Sequence, residues 1–199
     1  MILICGDSGS GKTTLSELFN LPILECDRYH KWERGDYHWK YYTHLNPRAN
    51  HIDLMVSHAN TIRKGGIINY RNYSHSDGKF TEPQQLPSGN DIVLCGLHTF
   101  SAEGIKIFVD TDPDLKNLWK INRDFKERGH SIQTIMSSIA FRDKDVENYI
   151  TPQKKLADYV VCHRWAQELI TTVYIQDEPT NLTIDELITQ VKNENRINM

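Results

Sequence analysis

The chain has 199 residues, 39% of them hydrophobic and 25% charged, with a formal net charge of −3. This length suits one domain with a full core, or one domain with a small lid. The small net charge gives no general reason to expect a nucleic acid partner, and no apolar run is long enough to cross a bilayer. The first motif begins so early that no signal peptide fits before it, and the four cysteines lie in or beside apolar runs without a C-x-x-C pair. We therefore expect a cytoplasmic protein with free thiols and without a nucleic acid or membrane partner.

A glycine-rich segment near the amino terminus fits the pattern G-x-x-x-x-G-K-[ST] in full and follows the apolar run at 2–5. Its residues are Gly6, Asp7, Ser8, Gly9, Ser10, Gly11, Lys12, Thr13 and Thr14. A buried strand, a glycine turn and a helix that begins at the lysine are the context that a phosphate-binding loop requires. Backbone N–H groups would hold a polyphosphate, Lys12 would reach its β- and γ-phosphates, and the Thr13 hydroxyl would hold Mg²⁺. The segment predicts that the chain binds a nucleoside triphosphate.

Beyond this loop, apolar runs alternate with helical patterns. Strands are predicted at 23–26, 91–95, 105–109, 159–162 and 171–175, and a hairpin over 67–80 with a turn near 76–78. Helices are predicted after the loop, at 52–62, from Asp112-Pro113 to Gly129, after a Ser131 cap, and after a capping box of Thr183 with Glu186. Two apolar sets are expected to pack in the core: Leu115, Leu118, Trp119, Ile121 and Phe125, and then Ile132, Ile135, Met136 and Ile139. The alternation predicts a parallel sheet covered by helices on both faces.

A phosphate-binding loop alone is compatible with a switch GTPase, a motor ATPase or a small-molecule kinase. No N-K-x-D guanine signature follows the loop, which weakens the GTPase alternative, and motor ATPases usually have larger domains. A compact kinase needs a carboxylate near the acceptor hydroxyl, and Asp27 follows the predicted strand 23–26, where ligands bind in α/β sheets. Asp27 could accept the hydroxyl proton or hold metal-bound water, although an aspartate after a strand can also only cap a turn.

Two further segments have the composition expected of residues that contact the substrate and the phosphates. The charged and aromatic stretch 27–36 is expected to face a substrate, the alternative being a loop whose rings only pack. Arg123 and Arg128 lie five residues apart on a predicted helix, and their guanidinium groups suit phosphate oxygens. We expect them to belong to a lid over the phosphates, the alternative being a solvated charged helix face.

From residue 2 to about residue 161 the chain resembles the phosphoribulokinase/uridine kinase family of P-loop kinases. Asp27, His30 and Arg34 are spaced like the D-x-x-H-x-x-x-R segment of bacterial phosphoribulokinases. Residues 45–55 resemble the family's L-N-P-x-A-N-x-x-D-L-M run, and 73–80 resemble its Y-x-H-x-x-G-x-F hairpin. Residues 123–131 are similar to the R-D-x-x-x-R-G-H-S lid, and 149–154 match Y-I-x-P-Q-K.

The resemblance implies roles for particular side chains. Asp27, Lys12 and Arg123 would be catalytic, Arg128 would join the nucleotide site, and Thr13 with Asp27 would hold Mg²⁺. The acceptor would contact His30, Arg34, Arg48, Arg71, Tyr73, His98 and Asp124. Convergence of Arg34, Arg48 and Arg71 would favour a phosphorylated acceptor. Dominance of aromatic faces such as Tyr29, Trp32 and Tyr73 would favour a stacked base.

The sequence departs from the family at two points. Cys95 stands where the family usually has the glutamate of E-G-L-H near the Mg²⁺ site, and a thiol is a poor ligand for a hard cation. Either Asp27 and Thr13 suffice to organise Mg²⁺, or activity is low, or the chain belongs to a divergent subgroup. The chain also ends where phosphoribulokinases continue, and its length is closer to that of a uridine kinase.

The sequence thus predicts an α/β protein with a P-loop NTPase-type parallel sheet, helices on both faces, a small β-hairpin lobe and a helical lid. We expect one kinase domain over 1–199, with the lobe at about 67–88 and the lid at about 123–145. Its cofactors would be ATP and Mg²⁺, and its partner a small-molecule hydroxyl acceptor, either a nucleoside or a sugar phosphate. A homodimer is expected only from family analogy and symmetry. The alternative function is that of a catalytically impaired ATP-binding regulator, with Cys95 as the lesion.

Overall fold

A computed structural model describes residues 1–86 and 91–197. The strands are β1 (Ile2–Cys5), β2 (Ile23–Glu25), β3 (Ile68–Tyr70), β4 (Tyr73–Ser74), β5 (Lys79–Phe80), β6 (Gln84–Leu86), β7 (Val93–Gly96), β8 (Ile105–Thr111), β9 (Tyr159–Ala166), β10 (Glu168–Ile175) and β11 (Glu178–Pro179). The α-helices are α1 (Lys12–Leu18), α2 (Ile52–Arg63), α3 (Pro113–Lys126), α4 (Ile132–Asp145) and α5 (Ile184–Ile197). The predicted core strands and helices therefore form, with ends that shift by one to four residues.

The central sheet has seven strands in the order β11-β10-β9-β8-β1-β7-β2. The pairs from β2 through β7, β1 and β8 to β9 are parallel, which confirms the predicted parallel sheet. The edge differs, because β10 runs antiparallel to both β9 and β11. Only Gln167 separates β9 from β10, and a link this short permits a hairpin but not a parallel crossover.

Helices cover both faces of the sheet, as predicted. Alternate residues of β1 point to opposite faces, so Ile2 and Ile4 pack in one core cluster and Leu3 and Cys5 in the other. The first cluster contains apolar side chains of α1 and α5, and the second contains those of α2. This sandwich fixes the loop after β1 at the carboxyl edge of the sheet, between its neighbours β7 and β8.

The caps predicted at Ser131 and Thr183 are present, and Asp112 caps α3 as well. The Asp112 carboxylate accepts from the N–H groups of Asp114 and Leu115, and the Ser131 hydroxyl accepts from the Thr134 N–H at 3.2 Å. In the capping box, the Glu186 carboxylate accepts from the Thr183 N–H at 2.8 Å, and the Thr183 hydroxyl accepts from the Glu186 N–H at 3.3 Å.

The expectation that the apolar stripes of α3 and α4 are core was wrong for four of their nine residues. Leu115 and Ile135 are buried, but four other side chains are more than half exposed: Leu118, Phe125, Ile132 and Met136. The physical reason is that the polar side of α3 is turned inward, against the phosphate-binding loop. Its apolar side is therefore left toward solvent.

The predicted hairpin forms as two short ladders, β4 with β5 and β3 with β6. The carbonyl of Ser74 accepts from the Gly78 N–H at 2.8 Å and closes the turn near the predicted position. The lobe expected over 67–88 extends two residues beyond the described part of the chain. Within that described part, no helix is long and apolar enough to span a bilayer.

Candidate active site

The loop between β1 and α1 has the backbone that its glycines predict. Gly9 and Gly11 have φ values of 87° and 93°, a region in which residues with a Cβ are strained. A Cβ added at Gly9 would lie 2.7 Å from the Lys116 carbonyl oxygen, so the loop packs closely against α3. Among the described residues no side chain caps the N-terminus of α1, so its first N–H groups are available to an anion. The Lys12 ammonium donates to the Asp7 carbonyl at the base of the loop.

One cavity of about 790 Å³ joins this loop to the end of β2, the hairpin and the inner sides of α3 and α4. It is lined by thirteen of the predicted site residues: Ser8, Gly9, Gly11, Lys12, Thr13, Thr14, Asp27, His30, Arg34, Tyr73, Arg123, Asp124 and Arg128. Gly6, Asp7 and Ser10 belong to the loop but do not line the cavity. Three predicted acceptor residues also lie outside its lining: Arg48 and Arg71 are exposed, and His98 is buried.

Asp7 holds the phosphate-binding loop against α3 and α4. Lys116 of α3 lies 2.8 Å from its carboxylate, and the Arg142 guanidinium of α4 donates to it at 2.9 Å. Burial alone would raise the pKa of Asp7, but the charges of Arg142 and Lys116 hold it below its usual range. Asp7 is therefore ionised and positions two cations beside the loop.

Asp124 positions a second group of cationic side chains beside the phosphate-binding loop. This carboxylate is almost fully buried, and it accepts from Lys120 and Arg123 and pairs with Arg128 at 3.3 Å. Burial opposes ionisation, yet the hydrogen bond and charge of Lys120, with Arg123, lower the pKa of Asp124 to about 2. Arg123 also donates to the Ser8 hydroxyl at 3.2 Å, which places its guanidinium at the phosphate-binding loop.

Sequence reasoning missed Lys116, Lys120 and Arg142. Lys116, Lys120 and Arg123 follow the i, i+4, i+7 spacing of one helix face, and this signal was present in the sequence. Lys120 and Arg142 line the cavity. The cavity is therefore strongly cationic at the end where the phosphates of a nucleotide would lie.

Asp27 lines the same cavity, beside two histidines. His75 of the hairpin is 2.9 Å from its carboxylate, and the buried His30 is 3.6 Å away. Burial favours the protonated acid, but the hydrogen bond from His75 and the charges that His30 and His75 carry when protonated hold the pKa of Asp27 well below its usual range. Asp27 is thus a carboxylate aimed into the cavity. His75, which sequence reasoning did not single out, was recognisable only as the histidine of the Y-x-H hairpin.

The segment 27–36 partly faces the cavity and partly packs. Asp27, His30 and Arg34 line the cavity, whereas Tyr29 is buried in the core and Trp32 stacks on His38 with ring centroids 4.3 Å apart. The Arg34 guanidinium donates to the carbonyls of His75 and Ser76, so this segment is docked on the hairpin. Both the functional and the packing interpretation therefore apply, to different residues.

Aromatic rings close the Asp27 end. Trp39 and His44 lie with ring centroids 4.1 Å apart, and Tyr73 lies edge-on to His30 at 5.3 Å. Burial lowers the pKa of His30, and it lowers the pKa of His44 to about 3, so both rings are neutral near pH 7. Neutral imidazoles can donate to and accept from hydroxyl groups. Trp39 is a further lining residue that the sequence analysis did not select.

The model of the Phosphoribulokinase / Uridine kinase family matches residues 1–170. The chain belongs to this family. Phosphoribulokinase of Synechocystis sp. is 33% identical over 195 residues, which cover 92% of this chain and 57% of that protein. Uridine kinase of Chlamydia pneumoniae is 30% identical over 194 residues, which cover 88% of this chain and 87% of that protein.

Solved structures show the same fold. Phosphoribulokinase from Rhodobacter spheroides superposes with a TM-score of 0.68 at 17% identity, over 95% of this chain and 84% of that one. The chain spans about half the length of the curated phosphoribulokinases that it matches. The comparisons give no support to the alternative of an impaired regulatory protein.

Proposed function

We propose that this member of the family is an ATP-dependent kinase that transfers the γ-phosphoryl group to a hydroxyl of a small molecule, either a sugar phosphate or a nucleoside. One observation carries the proposal: a single cavity is lined both by a phosphate-binding loop with its cations and by an ionised aspartate. Phosphoryl transfer needs a polyphosphate and an acceptor in line, with charge stabilisation between them. The relatives named phosphoribulokinase and uridine kinase support this reaction class.

At the nucleotide end, the loop N–H groups and Lys12 would bind the β- and γ-phosphates, and Arg123 and Arg128 would neutralise the transferring group. Both arginines contact the same carboxylate, Asp124, which holds their guanidinium groups near the loop before substrate arrives. Positioning of this kind lowers the barrier because the charges need little reorganisation during transfer. We assign Asp124 to positioning these arginines, in addition to the acceptor role that the sequence implied.

The donor set fits Mg²⁺ bound together with a nucleotide. The Thr13 hydroxyl and the Asp27 carboxylate line the same cavity, and oxygen ligands are those that Mg²⁺ prefers. No group of three or more His, Cys, Asp or Glu side chains within 1–86 and 91–197 is arranged to hold a metal alone. This agrees with an ion held by one or two protein oxygens plus phosphates. When bound, the ion would neutralise the developing phosphate charge.

At the acceptor end, Asp27 would accept a hydrogen bond from the attacking hydroxyl and take its proton as the new O–P bond forms and ADP leaves. Because its pKa is low, we expect it to contribute mainly by orienting the hydroxyl. His30 and His75 would fix the carboxylate and contact neighbouring hydroxyl groups.

Two acceptor classes remain, each with an observation in its favour. Arg34 lines the cavity and offers a guanidinium to an acceptor phosphate, although Arg48 and Arg71 do not join it. The rings of Trp39 and Tyr73 line the same end and could stack on a base. We place sugar phosphates first because His130 also lines this cavity and adds a hydrogen-bond donor to that of Arg34. We further propose that the protein is cytoplasmic, has a single kinase domain and forms a homodimer.

The test is ADP release measured with ATP and Mg²⁺ over a panel of uridine, cytidine, ribulose 5-phosphate, and other pentose and hexose phosphates. We expect turnover that depends on one acceptor class and that falls by roughly 100-fold or more in Asp27→Asn. Arg34→Met should raise KM for phosphorylated acceptors, and Trp39→Leu should raise it for nucleosides. ATP binding without acceptor-dependent turnover on the panel would contradict these acceptor classes.

A further inference from the structure

Glu25 is a carboxylate at the phosphate-binding loop to which neither the sequence nor the family resemblance assigned a role. It is the last residue of β2, its side chain is exposed, and it lines the cavity together with Thr13 and Asp27. None of the hydrogen bonds or ion pairs among the described residues involves its carboxylate. An anionic group in a cavity built for phosphates is unfavourable unless a cation lies between them.

The sheet aims Glu25 at the start of α1. Glu25 is paired with Cys95 across the parallel strands β2 and β7, and their neighbours Leu24 and Leu94 are paired as well. Both leucines pack in the core cluster of α2, whereas Cys95 packs in the cluster of α1. Paired residues of adjacent strands point to the same face, so Glu25 points to the face on which α1 lies. Thr13 is in the first turn of α1.

Cys95 cannot supply the missing charge. The thiol is 5% exposed, and burial raises its pKa, so it stays protonated and neutral. A neutral thiol is a poor ligand for Mg²⁺, which takes oxygen. Glu25 lies one strand away, and adjacent strands are only about 4.8 Å apart. A glutamate side chain is long enough to bring an oxygen across that distance.

Other carboxylates of the cavity are less suited. Asp124 is already shared by three cations, and Glu127 lies at the end of α3 with those cations. Glu17 lies about one turn further along α1 than Thr13, away from the glycine turn. Apart from Asp27, Glu25 is the one carboxylate among the described cavity residues that combines a position at the carboxyl edge of the sheet with a direction toward Thr13.

We propose that Glu25 is a magnesium-positioning carboxylate of the nucleotide site, which supplies from β2 the negative oxygen that Cys95 does not supply from β7. The proposal rests on the proposed function, since it assumes that the chain binds Mg²⁺ with ATP. It would remove the main sequence argument for an impaired protein.

The test is a calorimetric measurement of the affinity for the ATP analogue adenylyl imidodiphosphate, with Mg²⁺ and with EDTA. We expect Mg²⁺ to strengthen binding to the unaltered protein. In Glu25→Gln, affinity in EDTA should be unchanged or slightly higher, because a repulsive charge is removed, while the Mg²⁺ concentration needed for half-maximal strengthening should rise by roughly 10- to 100-fold. Glu17→Gln is the matched control and should behave like the unaltered protein.

Two more variants separate this role from misfolding. Glu25→Asp keeps the charge with a shorter reach and should show a smaller rise than Glu25→Gln. Adding Cys95→Glu to Glu25→Gln should recover part of the Mg²⁺ dependence. If the unaltered protein shows Mg²⁺-strengthened binding and Glu25→Gln shows the same Mg²⁺ requirement, the role of Glu25 is refuted and the kinase proposal stands. If the unaltered protein binds the analogue without any Mg²⁺ effect, both proposals fail.

Discussion

Replacing His98 with glutamine should make the fold less sensitive to acid. This side chain follows β7, is 7% exposed, and has an Nε2 atom without a hydrogen-bond partner in the described part of the chain. Burial, reinforced by the charge of His30, lowers the pKa of His98 from 6.5 to about 4, against a hydrogen bond with the Leu45 backbone that would raise it. The folded protein therefore keeps this ring neutral over most of the acidic range.

The sign and size of the effect follow from this difference. Between pH 6.5 and pH 4 the unfolded chain binds a proton at His98 that the folded chain does not, so the free energy of unfolding falls as the pH falls. The loss from this residue is about 2 kcal/mol between pH 7.5 and pH 5, from a pKa of 6.5 unfolded and about 4 folded.

The assay is urea unfolding at pH 7.5 and pH 5 for the unaltered protein, His98→Gln, and the exposed control His51→Gln. Any packing cost of the glutamine appears at both pH values and cancels in the difference. We expect the pH-dependent loss of stability to be about 2 kcal/mol smaller in His98→Gln than in the other two proteins. Equal losses in all three would show that the His98 ring is not held neutral by burial.

Three further changes should have measurable effects on urea unfolding. Arg142→Met removes the α4 contact of the Asp7 carboxylate and should lower the free energy of unfolding by about 1–3 kcal/mol. A double-mutant cycle with Asp7→Asn should show coupling between the two side chains, and additive losses of stability would argue against the contact. Leu94→Ala deletes a fully buried side chain and should cost about 2–5 kcal/mol, so a loss below this range would mean that the site collapses or is less buried than described. Gly129 has a φ of 68° and open space around the position of an added Cβ, so Gly129→Ala should lower the free energy of unfolding by about 1–2 kcal/mol. Gly9→Ala should lower it more, because its Cβ would meet α3. Equal losses would contradict the close packing at Gly9.

The sequence predicted those parts of the fold that are determined by residues close to one another along the chain. The strands at 2–5 and 105–109 are apolar runs bounded by turn residues, and the glycine pattern at 6–14 specifies its own backbone. The caps at Ser131 and Thr183 are likewise local, because each side chain bonds an N–H three residues away. None of these depends on what the chain meets elsewhere.

The errors have long-range causes. On α3, periodicity showed two faces but could not show that the face with Lys116 and Lys120 meets the phosphate-binding loop. The usual assumption that the apolar face is buried then placed Leu118 and Phe125 in the core, where they are not. A phosphate site needs cationic side chains in the interior, so the charged face of α3 is turned inward and the apolar face outward. Only the folded chain brings the phosphate-binding loop next to this helix.

The residues of the candidate site also differ in how far the sequence could place them. Asp27, His30 and Arg34 could be selected because one short segment carries them all into the cavity. Arg48 and Arg71 were also expected to contact the acceptor, but one lies on an exposed turn and the other between β3 and β4, and neither side chain lines the cavity. The direction of a side chain changes with each residue along a strand or turn, and charge alone does not reveal it.

The most direct measurement follows the phosphoryl group itself. The protein would be incubated with Mg²⁺, γ-labelled ATP and each acceptor of the panel, and the label would be traced to the acceptor ester, to inorganic phosphate or to unreacted ATP. We predict label in the phosphate ester of a sugar phosphate or a nucleoside, and its loss in Asp27→Asn while ATP is still bound. Label that stays in ATP or appears only in inorganic phosphate with every acceptor would contradict the assignment of this cavity to a hydroxyl kinase.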